Sequence, residues 1–187
     1  MHGDFEPVNK EEECDMLWGK GTVSAFACVI AYLEDLVFLL LESDKKLFRF
    51  PGGNVDPTSE TFKDGVFREV VEEVGIVINT DSLQFVRGFL KDDETNDLGG
   101  HLMVFYSYDI QEGWRAASEQ ERIDVFKSKG DEVTLERRFV SAELDPKINR
   151  IKFSPETMVS PMHIIALRGW LRNQNRRRID LSPIGAA

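Results

Sequence analysis

FPGGNVDPTSETFKDGVFREVVEEVGI, residues 50–76, reads as a tight turn followed by a helix. Pro57 fixes φ, and Thr58 and Ser59 bring hydroxyls able to cap free backbone N–H groups, so the helix is predicted to start there. Phe62, Val66, Val70 and Val74 then recur every four residues as one apolar stripe. Glu69 and Glu73 share a neighbouring face, with Glu72 close by, and Gly75 supplies a stop in the left-handed region. Acids crowded at a helix C-terminus oppose its macrodipole, and like charges four apart repel. A divalent cation would remove that conflict, because hard cations take oxygen ligands from one or two carboxylates and from substrate phosphates. The bland alternative is that these acids are the solvated face of an amphipathic helix. Their arrival with Arg68, the glycine stop and the Pro-Gly-Gly turn, in that order, favours a metal–phosphate site.

The order Gly53, Glu60, then Arg68-Glu69-Val70-Val71-Glu72-Glu73-Val74-Gly75-Ile76 resembles the Nudix box. The resemblance implies an α/β fold, a Nudix-like α/β/α sandwich with a mixed β-sheet. It implies a metal-dependent pyrophosphohydrolase cleaving the P–O–P bridge of a nucleoside diphosphate derivative, a nucleotide sugar or a nucleoside triphosphate. Glu69, Glu72 and Glu73 would hold Mg²⁺ or Mn²⁺, with the Gly52 carbonyl as a further oxygen ligand. By the same resemblance Glu69 would double as the base that activates water, and Arg68 would orient it by a charge-assisted hydrogen bond. One spacing departs from the family: Asn54, Val55, Asp56, Pro57, Thr58 and Ser59 separate Gly53 from Glu60, one residue more than usual. Glu60 therefore either supports the loop or favours the helix N-terminus electrostatically.

Composition suits one globular enzyme domain: 187 residues, 42% hydrophobic and 30% charged. A net charge of −10 repels nucleic-acid backbones and anionic membranes, which argues against both as partners. A small phosphorylated, nucleotide-like substrate is still acceptable, because a bound metal inverts the local field. The two cysteines, Cys14 and Cys28, do not make a disulfide scaffold or a zinc site. Without an apolar run long enough for a membrane span or a basic leader, a cytoplasmic location with reduced thiols is expected. A homodimer is an open option.

Residues 1–20 read as a polar, loose lead-in, 21–173 as the catalytic domain and 174–187 as a basic tail. Strands are expected at 21–33, 36–41, 83–90, 101–110 and 132–140, and a helix at 160–171 with Pro161 in its first turn. The connection 111–129 is long enough to be an extra helix, over 116–127, or a functional loop. Nudix relatives often supply a further glutamate from this part of the chain. Glu119, Glu121, Glu132 and Glu136 are candidates, with Glu132 favoured as the possible additional acid.

His101 could contact phosphate, Trp114 and Tyr106 could stack on a base, and Arg176-Arg177-Arg178 could meet an anion; structural or solvated roles are the bland alternatives. Two other classes compete with the hydrolase. One is a non-catalytic nucleotide-sensing regulator, against which stands the complete set of box glutamates. The other is an isoprenoid diphosphate isomerase-like enzyme, which would want a cysteine at the site, whereas Cys28 falls in an apolar strand. No proline occurs between Pro57 and Pro146, so the proline tags of ADP-ribose and NADH hydrolases are missing and the substrate stays open.

Overall fold

The computed structural model describes residues 5–21, 23–34, 36–42, 47–92, 99–125, 134–145, 150–154 and 158–180. Its strands are β1 (Glu6–Val8), β2 (Ser24–Leu33), β3 (Leu36–Glu42), β4 (Phe48–Arg49), β5 (Gly52–Asn54), β6 (Gln84–Asp92), β7 (Gly100–Asp109), β8 (Thr134–Asp145) and β9 (Arg150–Ser154). Its helices are α1 (Glu11–Gly19), α2 (Phe62–Glu73), α3 (Gln111–Ala116), α4 (Glu119–Val125) and α5 (Pro161–Asp180). The strand order β1-β6-β7-β2-β3-β8-β9 makes one mixed, curled sheet, with β2 and β7 parallel and the other named pairs antiparallel.

Strand β2 explains the layering. Ala25, Ala27, Val29 and Ala31 face a core shared with α1 and α2, while Cys28 and Ile30 face a second core under α5. A strand covered on both faces reads as a continuous apolar run, as β2 does. Helices therefore lie on both sides of the sheet, the expected α/β/α arrangement. Strands β2 and β3 pair only next to their turn, through Tyr32↔Val37 and Leu33↔Leu36. Beyond that they part: β3 continues along β8, and β2 takes up β5 through Cys28↔Gly52 and Phe26↔Asn54. The Pro-Gly-Gly turn is thereby pinned to the central strand.

Three expectations change. Residues 6–19 are not a loose lead-in. Strand β1 pairs with β6, and Cys14 of α1 is fully buried, its thiol pKa pushed up to about 12 by desolvation and by neighbouring acids. A Cβ on Gly88 would meet the Cys14 sulfur at 2.5 Å, so this glycine is what lets α1 lie on β6. Helix α5 does not end near Leu171 but runs through Arg176–Arg178 to Asp180. The long connection after β7 folds as two short helices, α3 and α4, rather than one.

Candidate active site

The box helix is anchored as its stripe requires: Phe62, Val66, Val70 and Val74 are each about 99% or more buried. At about 1.5–3 kcal/mol per fully buried side chain of this size, the stripe fixes α2 firmly on the sheet. The helix starts later than Thr58-Ser59, at Thr61. Thr58 and Ser59 hydroxyls donate to the Asp56 carboxylate (2.7 and 2.8 Å), closing the loop around that aspartate. Thr61 then forms a reciprocal cap with Asp64: Asp64 N donates to the Thr61 hydroxyl oxygen, and Thr61 N donates to the Asp64 carboxylate. The extra loop residue is thus absorbed before the helix, and the phase from Arg68 to Glu73 is undisturbed. At the other end Gly75 takes φ 78° and donates to the Val70 and Val71 carbonyls.

Arg68 gathers the outer half of the site. Its Nε donates to Glu60 Oε1 at 2.6 Å, its Nη2 to the Asn54 carbonyl at 2.7 Å, and its Nη1 to Glu69 Oε1 at 2.5 Å. Glu72, 60% exposed, stands 3.6 Å from the same Nη1. Glu60 therefore anchors Arg68, and also accepts from Asp56 N at 3.2 Å, a loop-supporting role. The Arg68 guanidinium holds Glu60 below the usual carboxylate range, and the Glu60 bond in turn raises Arg68. The Glu69 carboxylate lies directly over Gly53, where an added Cβ would be 2.3 Å from its oxygen. Only glycine permits this approach.

The inner half is organised by Arg49, which the sequence reading missed. Its Nη2 donates to Glu73 Oε1 at 2.5 Å and its Nη1 to the Gly52 carbonyl at 2.8 Å. Glu73 is 8% exposed and also accepts from Gly52 N at 2.9 Å. Desolvation pushes the Glu73 carboxyl up, with Arg49 and the Gly52 N–H pulling the other way. Burial outweighs both, and the net direction is upward. Gly52 has φ 147°, and a Cβ there would strike the Ala27 carbonyl at 2.2 Å, so this turn requires glycine. The signal for Arg49 was alternation: Phe48 and Phe50 enter the α5 core, which turns the residue between them toward α2.

A second missed residue, His163 of α5, accepts a hydrogen bond at Nδ1 from Phe50 N at 3.0 Å and ties the turn to the opposite layer. A cavity of about 270 Å³ opens here, lined among others by Phe26, Cys28, Arg49, Gly52, Met103 and His163. Two larger hollows lie away from the box, one between Tyr32 and Trp170 and one beside α3.

The donor set suits a hard divalent cation: three carboxylates, a glycine carbonyl, and a Gly53 cradle that a side chain would fill. The acids do not converge on one point. Among the described residues no group of three or more His, Cys, Asp or Glu is gathered closely enough to hold an ion. Instead the box carboxylates are divided between two arginines. Glu132 lies outside the described residues, as do the side chains of Glu121, Glu136 and Arg176–Arg178. Glu119 is exposed on α4. Tyr106 is fully buried and donates to Glu11 at 2.7 Å, so it does not stack on a ligand. Trp114 packs edge-on against Phe139, and His101 Nδ1 pairs with the Ser24 hydroxyl at 2.5 Å.

Residues 22–149 match the family described as NUDIX domain, more than half of the chain, and the protein belongs to that family. Family members generally use divalent metals. Solved structures share the fold at low identity. A MutT/nudix family protein from Enterococcus faecalis superposes with TM-score 0.60 and 19% identity over 84% of this chain and 62% of its own. A UDP-X diphosphatase gives 0.55 and 12% over 91% and 73%. The NUDIX domain of Shewanella oneidensis NrtR, complexed with ADP ribose, gives 0.50 and 13% over 84% and 88%. The chain thus spans less than two thirds of the Enterococcus protein. No curated protein matches it in sequence. No helix among the described residues is long and apolar enough to cross a membrane.

Proposed function

We propose that the protein is a Mg²⁺- or Mn²⁺-dependent pyrophosphohydrolase that cleaves a nucleoside diphosphate derivative, a nucleotide sugar or a nucleoside triphosphate. The observation that carries this reading is the Arg68–Glu69 pair seated on Gly53: a carboxylate held in one orientation by the arginine and packed against backbone that bears no side chain. Glu69, Glu72, Glu73 and the Gly52 carbonyl would hold the cation. When bound, the cation neutralises phosphoryl oxygens and lowers the pKa of water.

The chain's own residues supply the rest. Arg68 donates to Glu69 Oε1, which leaves Oε2 to accept the proton of the attacking water. Water adds to one phosphorus, the bridging P–O bond breaks, and the two products leave as phosphate esters or as an ester and pyrophosphate. Glu60 and the Asn54 carbonyl keep the Arg68 fork in register. The cavity beside the turn, with Phe26 and Met103 on its wall, accepts the nucleoside end.

Among the structural relatives, a UDP-X diphosphatase and a NUDIX domain complexed with ADP ribose support a nucleoside diphosphate derivative as substrate class. The test is product release from a panel of nucleotide sugars and nucleoside triphosphates, with Mg²⁺, with Mn²⁺ and with EDTA. Cleavage of at least one panel member only when metal is present is expected. Binding of nucleotides with no turnover under any condition would replace this reading with the sensor.

A further inference from the structure

One guanidinium reaches both inner oxygens that a metal would need. Arg49 Nη1 lies 2.8 Å from the Gly52 carbonyl, and Nη2 lies 2.5 Å from Glu73 Oε1. Both partners are largely buried: the Arg49 and Glu73 side chains are 15% and 10% exposed. Nothing in the box motif asks for this arginine, which sits upstream of the turn on β4. Its position is nonetheless enforced, because β4 pairs with β3 through Leu40↔Arg49 and Phe48 and Phe50 are locked in the core under α5. A fork that donates to a carbonyl and a carboxylate satisfies the charge and hydrogen bonding of that pocket.

We propose that Arg49 is a built-in cation that competes with the divalent metal for the Gly52 carbonyl and Glu73. In the metal-free protein Arg49 neutralises Glu73 and keeps the buried carboxylate compatible with folding. Metal loading at those oxygens requires the guanidinium to swing off them, and the cavity it already lines, beside Met103 and His163, is the adjoining space. Metal affinity is therefore set by the difference between two cations at one place, and the apparent affinity is lowered by the fraction of protein with Arg49 engaged.

This rests on the reading of Gly52 and Glu73 as metal ligands, and the experiment separates the two. Mn²⁺ binding is measured by electron paramagnetic resonance titration of the free ion, on wild type, Glu73→Gln and Arg49→Met. If the ligand reading holds, Glu73→Gln loses about tenfold or more in Mn²⁺ affinity. If Arg49 competes, Arg49→Met gains about tenfold and melts at a lower temperature without metal. Unchanged affinity in Glu73→Gln overturns the ligand reading and this proposal with it. Weaker binding in Glu73→Gln together with equal or weaker binding in Arg49→Met overturns the competition alone.

A charge effect without displacement is excluded on the wild-type protein by ¹⁵N side-chain NMR of arginine-labelled material, with Arg49 identified from Arg49→Lys. Saturating Mg²⁺ should shift the Arg49 guanidinium signals and speed its rotation. A guanidinium that remains rigid and unshifted overturns the proposal even if Arg49→Met does not fold.

Discussion

The two arginines of the site handle the same kind of partner in opposite surroundings. Arg68 is 36% exposed and shares its donors among Glu60, Glu69, Glu72 and the Asn54 carbonyl. Arg49 is 15% exposed and closes on Glu73 and the Gly52 carbonyl. An exposed network is screened by water and contributes little stability per pair, so its value lies in orientation. A buried pair carries a desolvation penalty that makes each partner depend on the other. The outer half of the site is therefore expected to respond to mutation in activity, and the inner half in stability and metal affinity together.

The largest expected effect on stability follows from the inner half. Glu73→Ala leaves Arg49 buried without its carboxylate and should cost about 3 kcal/mol in the metal-free protein by chemical denaturation. The largest effect on rate belongs to the outer half: Glu69→Gln should lower kcat by a factor on the order of 10² while leaving the denaturation midpoint near that of wild type. If Glu73→Ala were as stable as wild type, the distinction between buried and exposed halves would collapse.

Acid titration sharpens the contrast. Glu60 has a folded pKa below its ordinary value of 4.5, because Arg68 hydrogen-bonds its charged form. Its contribution is full above that value and is lost as pH falls through the folded pKa. Glu73 is raised by burial, so its contribution is greatest below the unfolded value and is lost as pH rises through the folded pKa. Between pH 5 and 3, Glu60→Gln should therefore flatten the loss of stability seen in wild type, and Glu73→Gln should steepen it. Equal slopes in the two variants would contradict the assignment of opposite environments.

The smallest effect is expected outside both halves. Deleting Ser59 removes one hydroxyl from the Asp56 turn but leaves the Thr61–Asp64 cap in place. Activity should stay within about tenfold of wild type, a change below about 1.4 kcal/mol in transition-state stabilisation. A folded but inactive deletion variant would mean that the turn before the helix sets the geometry of Glu69.

What was legible in the sequence was local. The stripe from Phe62 to Val74 and the stop at Gly75 follow from helical periodicity and glycine stereochemistry, and the structure repeats them residue for residue. The helix start was misplaced because Thr58 and Ser59 have the right chemistry for a cap, yet their hydroxyls are taken by Asp56. Alternation turns Arg49 away from the core that Phe48 and Phe50 enter, but it does not name Glu73, 24 residues on, and His163 is tied to Phe50 across 113 residues of chain. The same holds for the N-terminal segment, whose docking depends on a thiol fitting over one distant glycine, Gly88. Periodicity does not report contacts of that kind.

The central claim is that the carboxylates of α2 serve metal-dependent hydrolysis of a phosphoric anhydride. It is tested most directly by ³¹P NMR of a nucleoside diphosphate sugar or a nucleoside triphosphate incubated with the wild-type protein, first with EDTA and then with excess Mg²⁺. The account predicts that the anhydride resonances persist under chelation, disappear with product signals once Mg²⁺ is added, and persist with Glu69→Gln over the same period. Loss of those resonances in the chelated sample, or at the wild-type rate with Glu69→Gln, would contradict it.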